Sequence, residues 1–215
     1  MKILGIVLIV ITIYIIFALI LRMAYPVYLT TEKKNILYEG MDKVHNILNQ
    51  HNIPYFAICG TLLGAIRERE IIPWDDDIDI GILKEDMDKF NSIDFSIAGL
   101  SSYPATVNNI GKIYLNKGMY IDIFVFENKD NKYIYTHESA RKVWPNEYFL
   151  EKELFPLQMY SFGPIQIQGP NQFEPYAERS WNNWKKPIFK TRKLFMYPFD
   201  FGWTYATKKY KYING

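Results

Sequence analysis

At positions 73–80 the chain reads PWDDDIDI, four carboxylates within five residues followed by alternation with isoleucine. Alternation with a period of two predicts a β-strand over 77–82. Side chains at i and i+2 share one face of a strand, so Asp77 and Asp79 point together, and Asp75 joins them if the strand begins early. Carboxylates crowded beside apolar residues need a neutralising cation. Hard oxygen ligands of this kind suit Mg²⁺ or Mn²⁺, which share their remaining positions with substrate phosphates.

An acidic surface loop and a calcium-binding loop are the alternatives for this segment. A loop accounts for Asp75 and Asp76, but it does not account for the alternation of Ile78, Ile80 and Ile82. The EF-hand spacing, with its central glycine and distal glutamate, is missing. The pattern therefore favours a catalytic metal site, with Asp76 on the opposite face of the strand.

A third carboxylate, Asp122, stands in a second apolar run. Residues 112–115 and 119–126 are strand-like, and the turn signal at 116–118 between them predicts a hairpin. Burying the Asp122 carboxylate unpaired would cost several kcal/mol, and sharing the same metal would remove that cost. The alternative is that Asp122 faces solvent.

A phosphate-binding turn is predicted around Gly60 and Thr61, ahead of the acidic strand. Residues 55–59 form a short apolar run that ends at Gly60, which predicts a buried strand, a tight turn and a helix beginning near Thr61. Backbone N–H groups and a hydroxyl at a helix N-terminus suit a phosphate. The signal is weak alone and gains from its place shortly before the acidic strand.

Elsewhere in the chain the patterns predict ordinary packing elements. Apolar residues recur with helical spacing in an amphipathic segment: Leu37, Met41, Val44 and Leu48. His45 and His51 are more typical of packing or surface residues than of metal ligands. A helix over 84–90, a strand pair around 162–164 and a helix over 171–184 complete the reading.

The N-terminal segment is strongly apolar. Residues 3–21 carry no charge and lie between Lys2 and Arg22. At about 1.5 Å per residue they match the ~30 Å hydrocarbon core of a bilayer, which predicts a transmembrane helix. A cleaved signal peptide is the alternative, although no small-residue cleavage site follows. Basic residues on both sides leave the orientation open.

Length and composition limit the remaining functional classes. At 215 residues the chain suits one catalytic domain, and a net charge of +2 predicts no nucleic-acid partner. A single cysteine excludes an intramolecular disulfide and a Cys-rich zinc site. The basic, aromatic C-terminal segment would meet a membrane surface or an anionic donor, or would pack on the domain. The predicted division is an anchor at 1–23, a linker at 24–33, a catalytic domain at 34–187 and this segment at 188–215.

The strings GTLLGAIR at 60–67 and IPWDDDIDI at 72–80 resemble the signature of the LicD and fukutin family. A looser similarity through 120–124 and 154–184 extends the resemblance over most of 34–187. The resemblance implies an α/β (α+β) nucleotidyltransferase-like fold, a mixed sheet flanked by helices. It also implies transfer of a phospho-alcohol group, such as phosphocholine or ribitol phosphate, from a CDP-linked donor to a glycan hydroxyl.

The same resemblance implies roles for individual residues. Metal binding and catalysis fall to the carboxylates Asp77, Asp79 and Asp122, with Asp75 as a further metal ligand. The donor phosphates fall to Gly60, Thr61 and Arg67. Cys59 departs from the family pattern, because a second glycine is common there.

Two other functions fit the acidic motif. A metal-dependent glycosyltransferase would use Asp-x-Asp to hold a nucleotide sugar, although such folds usually place a nucleotide-binding half before the motif. A catalytically silent membrane scaffold would keep the fold alone. The resemblance also implies a single-pass, type II protein of the ER, the Golgi or an equivalent endomembrane.

Overall fold

The computed structural model describes residues 2–24, 28–181 and 183–186. The predicted C-terminal segment at 188–215 lies outside the described residues. The helices are α1 Lys2–Ala24, α2 Thr31–Gln50, α3 Cys59–Arg67, α4 Met87–Asn91, α5 Glu138–Val143, α6 Glu151–Leu154 and α7 Glu174–Ser180. The strands are β1 Tyr55–Ala57, β2 Asp77–Leu83, β3 Ser101–Tyr103, β4 Gly111–Tyr114, β5 Tyr120–Lys129, β6 Lys132–Tyr135, β7 Phe149–Leu150, β8 Gln158–Phe162 and β9 Ile165–Gly169.

The main sheet is mixed. Its order is β1-β2-β5-β4-β3, with β6 paired to the second half of β5 and β7 paired to β6. Strands β2 and β5 run parallel, whereas β1, β4 and β3 join the sheet in antiparallel pairs. Strands β8 and β9 form a separate hairpin. The expected mixed α/β fold is therefore confirmed.

Strand β2 follows the alternation of its sequence. The isoleucines at 78, 80 and 82 are fully buried in the apolar core. Its neighbour β5 repeats this arrangement with Ile121 and Ile123, which are also fully buried. The predicted strand at 77–82 is confirmed, and so is the hairpin of β4 and β5 around residues 116–118.

Helix α2 packs one apolar stripe against the fold. The four residues with helical spacing are all fully buried, which confirms the amphipathic helix. Thr30 caps the helix by accepting a hydrogen bond from the Lys33 backbone N–H, so α2 begins at Thr31, within the predicted linker. The Nδ1 atom of His45 lies 2.8 Å from the Tyr55 hydroxyl. His45 is thus a packing residue between α2 and β1.

Three predicted helices differ from the structure at their ends. Helix α3 begins at Cys59 rather than Thr61, and the predicted helix at 84–90 is a 3₁₀ turn followed by α4. The predicted helix at 171–184 is only α7, because Pro175 sets its first turn and Trp181 is extended, with φ −135° and ψ 122°. These are end effects, since local geometry at caps and prolines overrides the periodic pattern.

The apolar N-terminal segment forms α1, and the side chains described there, at 5–17, are exposed. Among the described residues, no helix combines the length and the apolar character that crossing a bilayer requires. The transmembrane helix predicted over 3–21 stays a prediction.

Candidate active site

The register of three strands brings the predicted carboxylates together. Asp79 on β2 is the direct neighbour of Asp122 on β5, and Asp77 is the neighbour of Tyr120. On the other side of β5, Lys112 of β4 is paired with Asp122. Because alternate residues share a face, all five side chains project from one face of the sheet.

The three predicted catalytic carboxylates, Asp77, Asp79 and Asp122, form a compact, buried cluster, the acidic group. Asp77, Asp79 and Asp122 each offer an oxygen, and these oxygens lie within 4.8 Å of one another. Their exposed fractions are only 1%, 2% and 4%. The Oδ1 atom of Asp79 is buried with no hydrogen-bond partner among the described residues. An orphaned buried carboxylate oxygen beside two further carboxylates fits a divalent cation, since burying unpaired charge is costly.

The electrostatics of the group agree with this geometry. Burial raises the pKa of Asp79 well above its usual value, and the charges of Asp77 and Asp122 raise it further. Burial also raises the pKa of Asp122, although the ion pair with Lys112 acts in the opposite direction. A bound cation would reverse both shifts, because it favours the ionised carboxylates.

Tyr120 and Lys112 complete the row beside the carboxylates. Burial raises the pKa of the Tyr120 hydroxyl, and the charges of the nearby carboxylates Asp77 and Asp122 raise it further. The Lys112 ammonium donates to Asp122 Oδ1 and lies 3.7 Å from the centre of the Tyr120 ring. Neither residue was predicted. The turn centred on Lys117 was a usable signal, because antiparallel pairing about it sets Lys112 opposite Asp122.

Thr61 forms a hydrogen bond with the backbone of strand β2. Its Oγ1 atom accepts a 2.8 Å hydrogen bond from the Asp79 backbone N–H, and the residue is 2% exposed. The structure therefore places the Thr61 hydroxyl against β2. Its predicted contact with a donor phosphate stays a prediction.

Gly60 lies directly against Asp75. A Cβ atom at Gly60 would overlap the Oδ2 atom of Asp75, so only glycine leaves room for this carboxylate. Asp75 precedes β2 and adds to the charge that raises the pKa of Asp79. The predicted phosphate turn and the predicted fourth carboxylate are thus in contact. Asp76 also precedes β2 and is partly buried.

Arg67 lies at the other end of α3, six residues or about 9 Å along the axis from Thr61. Its Nε atom donates to Glu68 at 2.6 Å and its Nη1 atom donates to the Trp184 carbonyl at 3.3 Å. The structure thus gives Arg67 local partners, and its predicted role at the donor phosphates stays a prediction.

A second buried polar cluster lies at the start of α3, around Cys59. The Glu147 Oε2 atom accepts a 2.8 Å hydrogen bond from Tyr135 and lies 3.4 Å from the Cys59 sulfur. Cys59 has φ +48°, a left-handed conformation that favours glycine. This conformation explains why glycine would suit the position where the sequence carries cysteine. Glu147 was not predicted as a site residue, because it lies 88 residues after Cys59 and no local sequence pattern connects the two.

Comparisons with known proteins place this site in a family. A family model described as LicD/FKTN/FKRP, nucleotidyltransferase domain, matches residues 52–172, which is more than half of the chain. The matched range contains the acidic group, the turn before it and the hairpin. The chain belongs to the LicD/FKTN/FKRP nucleotidyltransferase family.

Individual relatives support the same placement. An uncharacterized protein of Rickettsia prowazekii is 36% identical over 157 residues, 70% of this chain and 55% of the relative. The lipopolysaccharide cholinephosphotransferase LicD of Haemophilus influenzae is 34% identical over 64 residues, 30% of this chain and 24% of the relative. The ribitol 5-phosphate transferase FKRP of Mus musculus is 26% identical over 157 residues, 66% and 30% respectively. The chain spans about half the length of the Rickettsia relatives it matches.

The two relatives with named activities are transferases of phosphate-containing groups.

Proposed function

We propose that this protein transfers a phospho-alcohol group, such as phosphocholine or ribitol phosphate, from a CDP-linked donor to the hydroxyl of a glycan. The observation that carries the proposal is the buried group of Asp77, Asp79 and Asp122, in a chain whose relatives include a cholinephosphotransferase and a ribitol 5-phosphate transferase. The group explains why a donor with a diphosphate suits the site. An anionic diphosphate needs positive charge nearby, and a metal cation bound by the acidic group would supply that charge.

The three carboxylates would hold Mg²⁺ or Mn²⁺, with Asp75 as an additional ligand. When bound, such an ion supplies positive charge that stabilises the diphosphate and the leaving CMP. The other residues of the site position this group. Thr61 holds the backbone of Asp79, Tyr120 lies beside Asp77 on the neighbouring strand, and Gly60 leaves space for Asp75.

Attack by the acceptor hydroxyl forms a bond to the distal phosphorus, breaks the bond to the bridging oxygen and releases CMP. The hydroxyl proton leaves during this step, and a carboxylate of the group is positioned to accept it. Asp122 is the candidate for this role, because it is the carboxylate of the group that lies on β5.

A donor screen tests the proposal. The protein is incubated with CDP-choline, CDP-ribitol or CDP-glycerol, a mixture of glycans and Mn²⁺, and the release of CMP is measured. We expect glycan-dependent CMP release with one donor and a phosphodiester in the product. A glycosidic product from a nucleotide sugar would instead support the glycosyltransferase.

The control variant for this screen is Glu127→Gln. Glu127 lies on β5, the strand of Asp122, but its carboxylate pairs with Lys84 outside the acidic group, at 2.7 Å. We expect Glu127→Gln to keep CMP release and Asp79→Asn to abolish it. Equal release by Asp79→Asn and the unmodified protein would contradict the proposed role of the carboxylates.

We also propose that the protein is a type II protein of the ER, the Golgi or an equivalent endomembrane, attached to the lipid bilayer through residues 3–21. This part rests on the sequence alone. Carbonate extraction of membranes tests it, since an integral protein stays in the pellet and a peripheral one is released.

A further inference from the structure

Lys112 occupies a special place beside the acidic group. It is the cross-strand partner of Asp122, and its ammonium donates to Asp122 Oδ1. The same residue pair thus joins the one carboxylate on β5 that belongs to the acidic group to a cation on β4.

The exposure of the two partners differs. The Asp122 side chain is 6% exposed, whereas the Lys112 side chain is 31% exposed. A dissolved anion can therefore reach Lys112 from solvent, whereas the Asp122 carboxylate is buried within the acidic group. Lysine carries its charge on a flexible four-carbon stem, so it can change partners with little rearrangement of the backbone.

The aromatic neighbour keeps Lys112 near the site in either arrangement. The ammonium lies 3.7 Å from the centre of the Tyr120 ring, a cation–π contact. Tyr120 is in turn the cross-strand neighbour of Asp77. A lysine that leaves Asp122 therefore stays above the same face of the sheet.

A carboxylate that ligates a metal and a carboxylate that binds an ammonium use the same oxygens. We propose that Lys112 neutralises Asp122 while the acidic group holds no metal, and that it binds a phosphate oxygen of the donor when Asp122 ligates a divalent cation. The second half rests on the proposed function, because it takes the phosphate-bearing ligand to be the donor. Lys112 would thus be a donor-binding residue in addition to the predicted ones.

Calorimetric titration of the full chain tests both halves. For Lys112→Met, which keeps an unbranched side chain as far as Cε and removes the ammonium, we expect Mn²⁺ alone to bind about fivefold more tightly than to the unmodified protein. We expect the preformed complex of Mn²⁺ with inorganic pyrophosphate to bind about tenfold more weakly. Opposite changes in the two affinities are the signature, since loss of a merely structural residue would weaken both.

Two further variants serve as controls. Lys84→Met removes a lysine that pairs with Glu127 of β5, outside the acidic group, and we expect both affinities to stay unchanged. Lys112→Arg keeps the charge, and we expect it to retain pyrophosphate binding. Where Lys112→Met fails to fold, Lys112→Gln takes its place.

Several results would overturn the proposal. Unchanged or weaker Mn²⁺ binding by Lys112→Met contradicts the first half, and unchanged pyrophosphate binding contradicts the second. A titration with CDP separates this proposal from the proposed function. Pyrophosphate binding that depends on Lys112, together with no binding of CDP, contradicts the CDP-linked donor and leaves the role of Lys112 standing.

Discussion

Asp79 of β2 and Asp122 of β5 are direct neighbours in a parallel pair of strands, so two buried carboxylates face each other from adjacent backbones. Like charges at this spacing destabilise a fold unless a proton or a cation neutralises them. The acidic group therefore lowers the free energy of unfolding while it holds no cation, and several consequences can be measured.

Replacing Asp79 by Asn removes one charge from the acidic group without changing its shape. In EDTA we expect the midpoint of thermal unfolding of Asp79→Asn to equal that of the unmodified protein or to exceed it by about 2–4 °C, because repulsion is relieved. Added Mn²⁺ should raise the midpoint of the unmodified protein and leave that of the variant unchanged. Glu127→Gln, on the same strand as Asp122, should respond to Mn²⁺ normally. A large loss of stability in EDTA would show that the Asp79 charge is stabilising.

The pH dependence of stability follows from the raised pKa of Asp79. The native state binds this proton more tightly than the unfolded chain, whose aspartate pKa is about 4. The resulting stabilisation is complete below that value and is lost as the pH rises through the higher native pKa. In EDTA, the unmodified protein should lose stability relative to Asp79→Asn as the pH rises above about 4. Parallel pH profiles of the two proteins would contradict the raised pKa.

Thr61 should support β2 through its hydroxyl. Thr61→Val keeps the shape of the side chain but leaves the buried Asp79 N–H without its acceptor, at a cost of about 1–3 kcal/mol in the free energy of unfolding. Thr61→Ser keeps the acceptor and should lose less. Urea denaturation measures both. Equal stability of the Val and Ser variants would show that this hydrogen bond contributes nothing.

Gly60 should be required for the place of Asp75. Gly60→Ala puts a methyl group where the Asp75 carboxylate lies, and overpacking of this kind costs about 1–3 kcal/mol. We expect Mn²⁺ to bind more weakly to this variant, because Asp75 must move. Gly5→Ala in α1, where a Cβ atom meets nothing within 4 Å, is the matched control. Undiminished Mn²⁺ affinity in Gly60→Ala would remove Asp75 from the metal ligands.

Much of this arrangement was predictable from local patterns. Alternating residues predict β2, helical spacing predicts α2, and the turn at 116–118 predicts the hairpin that carries Asp122. The grouping of Asp122 with Asp77 and Asp79 was inferred from the cost of an unpaired buried charge, and the geometry of the structure agrees with it.

The remaining features depend on contacts that no local pattern carries. Glu147 reaches Cys59 and Tyr135 across the fold, and α5, β6 and β7 are too short for a periodic signal. The pairing of Lys112 with Asp122 required the register of the hairpin as well as its existence. Helix ends such as that of α7 depend on proline and cap geometry rather than on periodicity.

A calorimetric titration with CDP shows whether a divalent ion held by the acidic group binds the nucleotide-linked donor. We predict that CDP binds in the presence of Mn²⁺, that EDTA abolishes this binding and that Asp79→Asn lacks it while Glu127→Gln retains it. Binding of CDP with equal affinity in EDTA, or to Asp79→Asn in Mn²⁺, would show that the acidic group does not hold an ion that binds the nucleotide.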